Sequence, residues 1–187
     1  QSSVGRGEKR IIISFRATGE GHISSIVFRS AIIDRANRIT VETPGRMLDS
    51  PEHVRNHIFK KGSFLRKLRE MQNFKDVAYS LISEKLTETF TYEELKRYVE
   101  EVRSGIELDE SGAIFLREAM WLASSHYEMD FSLDTDISER VIFPIADTEK
   151  KGIEDARFVR FIDDEGAVTY YATYTAYDGI SILPKLL

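Results

Sequence analysis

The segment 152–157 (GIEDAR) has the residues best suited to acid–base chemistry. Glu154 and Asp155 are adjacent carboxylates, and Arg157 follows two positions later at the start of an apolar run. In a strand, Asp155 and Arg157 would share one face, because side chains alternate with a period of two. Such a pair either forms an ion pair at a strand end or holds a polyhydroxylated ligand by hydrogen bonds. A carboxyl on a rigid strand that faces a pocket is also what a general acid requires.

Tyrosines are concentrated in the next predicted strand, residues 167–177 (AVTYYATYTAY). The period of two places Tyr170 and Tyr174 on one face and Tyr171 and Tyr177 on the other. Aromatic strands most often belong to a core, although the polar tips of such a face also suit contact with a sugar or with solvent.

A glycine-containing loop, Thr18-Gly19-Glu20-Gly21-His22, lies between two β-rich runs and predicts a hairpin. The flanking glycines would let the side chains of Glu20 and His22 project without backbone bulk. The alternative is an ordinary solvated turn, which needs only the glycines.

His53 and His57 have the i, i+4 spacing of metal ligands on a helix, and the spacing predicts that they share a helix face. Val54 stands where a metalloprotease has its general-base Glu, and no third ligand is evident, so we predict no metal site. Residues 53–69 contain no acidic residue and, besides the two histidines, six basic residues: Arg55, Lys60, Lys61, Arg66, Lys67 and Arg69. A solvated helical face explains this run, and binding of phosphate or of an acidic partner is the alternative.

The pattern of residue types divides the chain into three segments. Residues 1–48 and 127–187 are rich in β-branched and aromatic residues, whereas residues 49–126 contain one proline, Pro51, and have helical periodicity. Ser50-Pro51-Glu52 is typical of a helix start, and Thr91 with Glu94 forms a capping box. The fold class predicted is α+β, with four or five helices between two incomplete antiparallel sheets.

Composition excludes several classes of function. The net charge of −5 and the pI near 5.5 argue against broad nucleic-acid binding. The chain has no cysteine, which excludes disulfides and thiol catalysis. No apolar run approaches the roughly 20 residues that span a bilayer, and the N-terminus lacks the apolar region of a signal peptide. We therefore expect a cytoplasmic protein that binds neither nucleic acid nor a membrane.

Several short segments of the sequence resemble motifs of glycoside hydrolase family 130, the family of β-mannoside phosphorylases and β-mannosidases. They are SFRATGEGHISSIVFR (14–29), SSHYE (124–128), SERVIFP (138–144), GIEDARF (152–158) and TYYATYTAYDG (169–179). The resemblance covers about residues 10–48 and 120–180, and the helical middle looks like an insertion. The proline of the family's E-D-P-R motif is replaced by Ala156.

The resemblance implies a five-bladed β-propeller with a sugar site at its central mouth. Asp155 would be the general acid, acting on the glycosidic oxygen through a sugar hydroxyl, with no cofactor beyond inorganic phosphate as a co-substrate. The residues implied to bind the sugar are Arg16, Glu20, His22, Tyr127, Glu128, Arg157, Tyr174 and Asp178. The domains would be a first blade hairpin and strand (1–48), a helical insertion (49–126) and second blade strands (127–187).

The expected function is phosphorolysis or hydrolysis of β-mannosides with inversion, by a full-length protein of which this chain is a fragment. Five blades need about 20 strands, and this chain supplies about a third of them. Its open blade edges predict self-association. The alternative is a non-catalytic carbohydrate-binding or scaffold module that is built from the same strands.

Overall fold

The computed structural model describes residue 5 and residues 7–45, 53–71 and 77–187, which form a mixed α+β fold as predicted. The strands are β1 (Lys9–Thr18), β2 (Ser24–Ile33), β3 (Ile39–Val41), β4 (His53–Asn56), β5 (Phe59–Lys60), β6 (Thr89–Phe90), β7 (Tyr127–Asp130), β8 (Val141–Ile142), β9 (Gly152–Ile162), β10 (Val168–Tyr177) and β11 (Ile182–Leu186). The α-helices are α1 (Lys61–Met71), α2 (Val77–Lys85), α3 (Tyr92–Gly105) and α4 (Glu110–Ser124). Within these ranges, no helix has the length and apolar character that crossing a bilayer requires.

Strands from both ends of the chain form one open, seven-stranded sheet with the order β1-β2-β9-β10-β11, and β3 and β8 also pair with β2. The prediction of two separate sheets is therefore wrong. The predicted hairpin of β1 and β2 is confirmed, with all ten residues of each strand in antiparallel register. The two ends of the chain are joined by a parallel pairing between Ser24 of β2 and Gly152 of β9. Such a long-range pairing has no signal in local sequence.

Gly152 allows β9 to approach β2 at this pairing. Its φ is 127°, in the region that favours glycine, and a Cβ at this position would lie 2.7 Å from the backbone nitrogen of Ser24. Backbone atoms cannot move aside as a flexible side chain does, so only glycine fits without displacing a strand.

Gly152→Ala is expected to lower the free energy of unfolding by about 2–3 kcal/mol, because it adds backbone strain and a clash. Gly166→Ala is the matched control, since Gly166 has a φ of 87° but no atom lies within 4 Å of the position that its Cβ would take. The control should cost only the strain, about 1 kcal/mol. Urea denaturation of both variants measures the difference, and equal losses would contradict the close-approach argument.

The chain divides into two units, which are residues Gln1–His53 with Met129–Leu187 and residues Val54–Glu128. The first is called the sheet unit below, and the second the helical unit. The core of the sheet unit includes the buried residues Ile26, Phe28, Ile142, Ile153, Tyr174 and Ala176. The helical unit has its own core, built from α1 to α4 and from the pair β5 and β6.

Local signals predicted several features of the helical unit correctly. Thr91 accepts a hydrogen bond from the backbone N–H of Glu94, and the Glu94 carboxylate accepts one from the backbone N–H of Thr91. This reciprocal pair is the predicted capping box. Ala78 and Ile82, which are four residues apart as helical periodicity requires, are buried on α2. The predicted start at Ser50-Pro51-Glu52 lies outside the described residues.

The prediction of a helix that contains His53 and His57 is wrong. His53 belongs to strand β4, His57 follows that strand, and α1 begins only at Lys61. Along an extended chain, positions i and i+4 are about 13 Å apart, so the metal-ligand spacing of a helix does not apply.

Candidate functional site

Asp155 lies in a β-bulge near the middle of the sheet. In the register of β9 with β10, Arg157 pairs with Thr173 and Glu154 pairs with Thr175, so Asp155 and Ala156 together lie opposite the single residue Tyr174. The φ of Asp155 is 56°, in the left-handed region that few residues other than glycine, Asn and Asp adopt. Bulges of this kind change the direction of a side chain and occur often beside active sites.

The bulge overturns the prediction that Asp155 and Arg157 share a face by strand alternation. The extra residue of the bulge shifts the alternation of side chains between them. Residues that pair directly lie on the same face of a sheet, so Glu154 and Arg157 share the face of their partners Thr175 and Thr173. Both Asp155 and Arg157 are exposed. The sequence pattern alone assumed an uninterrupted strand and could not show this shift.

An open cavity of about 180 Å³ lies beside the bulge. It is lined by Ser14, Phe15, Arg16, Ile26, Asp155 and Ala156. The Ser14 hydroxyl lies 3.5 Å from the carbonyl oxygen of Ala156, toward which it donates. This cavity brings together two of the predicted site residues, Asp155 and Arg16.

The charges beside this cavity are arranged in a specific way. Arg16 forms an ion pair with Glu154, not with Asp155, and the Arg16 side chain is half exposed. Within the part of the chain that the structure describes, the Asp155 carboxylate has no ion-pair partner. Among the described residues, the predicted salt bridge between Asp155 and Arg157 is therefore not formed. The salt bridge at this position joins Arg16 to Glu154, and the carboxylate of Asp155 lies open to the cavity.

Tyr174 is not placed to contact a sugar, which corrects the prediction for this residue. It is buried in the core of the sheet unit, and its hydroxyl donates a hydrogen bond of 2.7 Å to Oε1 of Glu149. Its position opposite the bulge gives it another role, because it supports β9 and β10 from the core side at the level of Asp155.

Glu149 is a fully buried carboxylate that sequence reasoning missed. Oε1 also accepts a hydrogen bond of 2.9 Å from Nζ of Lys185, and Oε2 accepts from the backbone N–H groups of Ile145 and Ala146 at 3.0 and 3.2 Å. Burial raises the pKa of this carboxyl, but the hydrogen bonds from Ile145, Tyr174 and Lys185, with the Lys185 charge, outweigh it and hold the pKa below its usual value. A glutamate in a polar stretch such as DTEKK gives no local signal of burial.

Asp178 closes the turn between β10 and β11. Its Oδ1 accepts hydrogen bonds from the backbone N–H groups of Ile180 at 2.7 Å and Ser181 at 2.6 Å. The hydrogen bonds from Ser181 and Ile180 lower the pKa of Asp178 below its usual value. The structure therefore gives Asp178 a turn-forming role, and its contact with a sugar stays a prediction.

The remaining predicted residues lie at other positions. Glu20 and His22 belong to a 3₁₀ turn between β1 and β2, where His22 is exposed and has a φ of 61°. Tyr127 and Glu128 are part of the helical unit, and Oε1 of Glu128 lies 3.1 Å from Nδ1 of His57. Tyr127 and Glu128 therefore belong to a different unit from Asp155.

Residues outside the predicted set also contribute to the cavity at Asp155. Ser14 provides a hydroxyl, and Phe15 and Ile26 provide apolar walls. Ser14 occurs two residues before Arg16 in β1, and the period of two places both on one face, which is the signal that could have identified it. Among the described residues, no group of three or more His, Asp or Glu side chains is arranged to hold a metal ion.

Comparisons with protein-family models, with curated proteins and with solved structures found no match to this chain.

Proposed function

We propose that this chain provides the acid-bearing sheet of a carbohydrate-active protein that cleaves β-mannosides by phosphorolysis or hydrolysis with inversion. The observation that carries the proposal is the placement of Asp155. Its carboxylate is exposed at an open cavity, is held by a bulge in a paired strand, and lies beside Arg16 and Ser14. The resemblance of residues 152–158 and 169–179 to glycoside hydrolase family 130 supports the same assignment.

In the proposed reaction, Asp155 acts as the proton donor. A sugar bound in the cavity would bury the carboxyl, and burial favours its protonated form. The proton passes from Asp155 to a sugar hydroxyl, and the proton of that hydroxyl passes to the glycosidic oxygen as its bond to the anomeric carbon breaks. Phosphate or water forms the new bond from the opposite face, which inverts the configuration.

The ion pair between Arg16 and Glu154 has two effects in this proposal. The positive charge of Arg16 balances the negative charge of Glu154, so Glu154 exerts little electrostatic repulsion on the neighbouring carboxylate of Asp155. The ion pair also leaves the remaining N–H groups of Arg16 at the cavity, where they can donate to sugar hydroxyls.

A five-bladed propeller also belongs to the proposal. About 20 strands would form such a propeller, and the large sheet described here has seven. The outer strands β1 and β11 would then pair with strands from elsewhere in the complete protein, or with those of a second copy.

The test is incubation of β-mannobiose with the complete protein, with and without inorganic phosphate. Formation of α-mannose 1-phosphate only when phosphate is present would support phosphorolysis, and release of mannose without phosphate would support hydrolysis. Chromatography of the products distinguishes these results. A folded protein that produces neither compound would contradict the enzymatic proposal.

A non-catalytic carbohydrate-binding module is the second candidate, and an open groove of about 790 Å³ in the sheet unit favours it. Exposed Tyr170 and Phe158 line this groove with Ile12, and aromatic rings of this kind suit contact with sugars. Calorimetric titration with β-mannobiose separates the candidates. Binding that Tyr170→Ala weakens, without any turnover, would favour the binding module.

A further inference from the structure

A second cavity, of about 160 Å³, lies within the helical unit, and four of its eight lining residues are basic. Its lining residues are His57, Phe59, Lys60, Ser63, Phe64, Lys67, Leu122 and His126. Two imidazoles, two ammonium groups and one hydroxyl thus surround an apolar floor, and none of the lining residues is acidic. We propose that this cavity binds a phosphate group, and that protonation of His57 and His126 strengthens the binding.

Both histidines are oriented by a hydrogen bond at Nδ1. Nδ1 of His126 lies 2.9 Å from the carbonyl oxygen of Leu122, and Nδ1 of His57 lies 3.1 Å from Oε1 of Glu128. Both oxygens accept hydrogen bonds, so each Nδ1 carries the proton and each Nε2 is left for another partner. The two ring centroids are 5.8 Å apart, which lets one small ligand contact both rings.

Charge determines the kind of ligand. Lys60 and Lys67 line the cavity together with the two histidines, and the Glu128 carboxylate lies 3.1 Å from Nδ1 of His57. Two ammonium groups repel a metal cation, whereas the oxygens of a phosphate accept hydrogen bonds from ammonium, imidazolium and hydroxyl groups together. An imidazolium has an N–H at both ring nitrogens, so the protonated form of each ring adds a donor at Nε2.

Lys67 has one competing contact, with Oε2 of Glu70 at 3.2 Å. Both side chains of this pair are more than half exposed, so the pair contributes little and yields readily to a dianion. The exposed positions of Lys60, Ser63 and Lys67 also place the mouth of the cavity at the surface of the helical unit. The phosphate can therefore be a free ion or the end group of a small phosphate ester.

The lysines of this cavity belong to the basic run that the sequence analysis identified. The run of basic residues between His53 and Arg69 has no acid, and the structure gathers Lys60 and Lys67 of that run beside His57. Lys61 of the same run is used differently, since its Nζ donates to the carbonyl oxygen of Leu86. This proposal is independent of the mannoside reaction, because its residues and its readout belong to the helical unit.

The test is calorimetric titration of the full chain with inorganic phosphate, and separately with glucose 6-phosphate as a phosphate ester. Lys60→Ala with Lys67→Ala is expected to weaken binding of either ligand about tenfold or more, because two of the charged donors are lost. Lys96→Ala, which removes an exposed lysine outside the cavity, should leave binding unchanged. Tighter binding of glucose 6-phosphate would support a phosphate-ester ligand, and equal or tighter binding of phosphate would support the free ion.

Sulfate is the probe for the pH dependence, because its charge stays constant where phosphate titrates. Sulfate is expected to bind about tenfold more tightly at pH 6 than at pH 8, since imidazoles gain protons across this range. Nitrogen NMR of the imidazoles should show sulfate-induced shifts at His57 and His126, and His126→Gln should reduce the pH effect. Circular dichroism of each variant reports its folding, and the lysine variants keep the test valid if His126→Gln does not fold.

Four results would overturn the proposal. They are absence of phosphate binding to the folded chain at pH 6, equal loss of affinity in Lys96→Ala, sulfate binding that does not change with pH, and binding of Zn²⁺ at the two histidines that is tighter than that of phosphate.

Discussion

Asp155→Asn is expected to lower kcat of the complete protein on β-mannobiose by roughly 10²–10⁴-fold, the usual size of a general-acid contribution. The substitution removes the transferable proton but keeps a side chain of the same shape. Asn also tolerates the left-handed φ of 56° at this position, so the bulge should be retained. Steady-state kinetics should show little change in KM, because binding of the sugar does not need the proton.

Controls separate chemistry from folding at this position. Asp164→Asn removes the same charge from the exposed hairpin turn between β9 and β10, and it should leave kcat unchanged. Asp155→Gly relaxes the left-handed backbone, so it should unfold no more easily than the wild type while losing activity as Asp155→Asn does. If Asp155→Asn keeps near-normal turnover but melts several degrees lower, the carboxylate has a structural role and the assignment is wrong.

The features that the sequence predicted correctly depend on contacts over short distances along the chain. The hairpin of β1 and β2 is an example, because the two strands are separated by a short glycine-containing turn in which Gly21 has a φ of 68°. The capping box at Thr91 is another, and its partners are three residues apart. In each case the residue type determines a local conformation, so the pattern contains enough information.

The features that the sequence did not predict depend on residues far apart in the chain. The bulge at Asp155 exists only in the register with β10, and a one-residue shift changes which side chains share a face. The single sheet depends on the pairing of Ser24 with Gly152, which are 128 positions apart. The resemblance to a family implied a sugar contact for Tyr174, whereas its burial depends on Glu149, which lies on a turn 25 residues earlier in the chain.

The same distinction explains how much of the candidate site was predicted. The motif around Asp155 identified the carboxylate, and the resemblance to a family identified Arg16. The pairing of Arg16 with Glu154 could not be predicted, because it joins β1 to β9, and β1 pairs with β2 in the sheet. The sequence therefore indicates candidate groups, whereas the structure determines which carboxylate is paired and which is open.

Glu149→Gln is expected to destabilise the protein by about 3–5 kcal/mol, because it removes the charge that compensates the nearly buried ammonium of Lys185. For a chain of this size the melting temperature should fall by roughly 6–20 °C. Asp147→Asn in the same 3₁₀ turn is the matched control. Asp147 forms an ion pair with Lys150 in which both side chains are mostly exposed, so its loss should cost at most about 1 kcal/mol.

The pH dependence of this effect tests whether Glu149 is ionised in the folded protein. The pKa of Glu149 is lowered on folding, so its contribution to stability is present above the pKa of an unfolded glutamate, about 4.3, and is lost as the pH falls through the lower folded pKa. The stability gap between wild type and Glu149→Gln should therefore narrow as the pH falls from 7 to 3. Other carboxylates with lowered pKa, such as Asp34 and Asp136, titrate in both proteins and cancel in the difference.

Urea denaturation of both proteins at pH 7, 5, 4 and 3 measures this gap. The double variant Glu149→Gln with Lys185→Met should lose less stability than the sum of the single variants, by about 0.5–3 kcal/mol, because neither change then leaves a buried charge unpaired. A gap that stays constant between pH 7 and pH 3 would show that folding does not lower the pKa of Glu149, and a gap that widens as the pH falls from 7 toward 4 would show that Glu149 is neutral in the folded state. Additive losses in the double variant would show that Glu149 and Lys185 do not stabilise the protein as a pair. The strand that holds Asp155 would then be supported by the packing of Tyr174 and not by this buried ion pair.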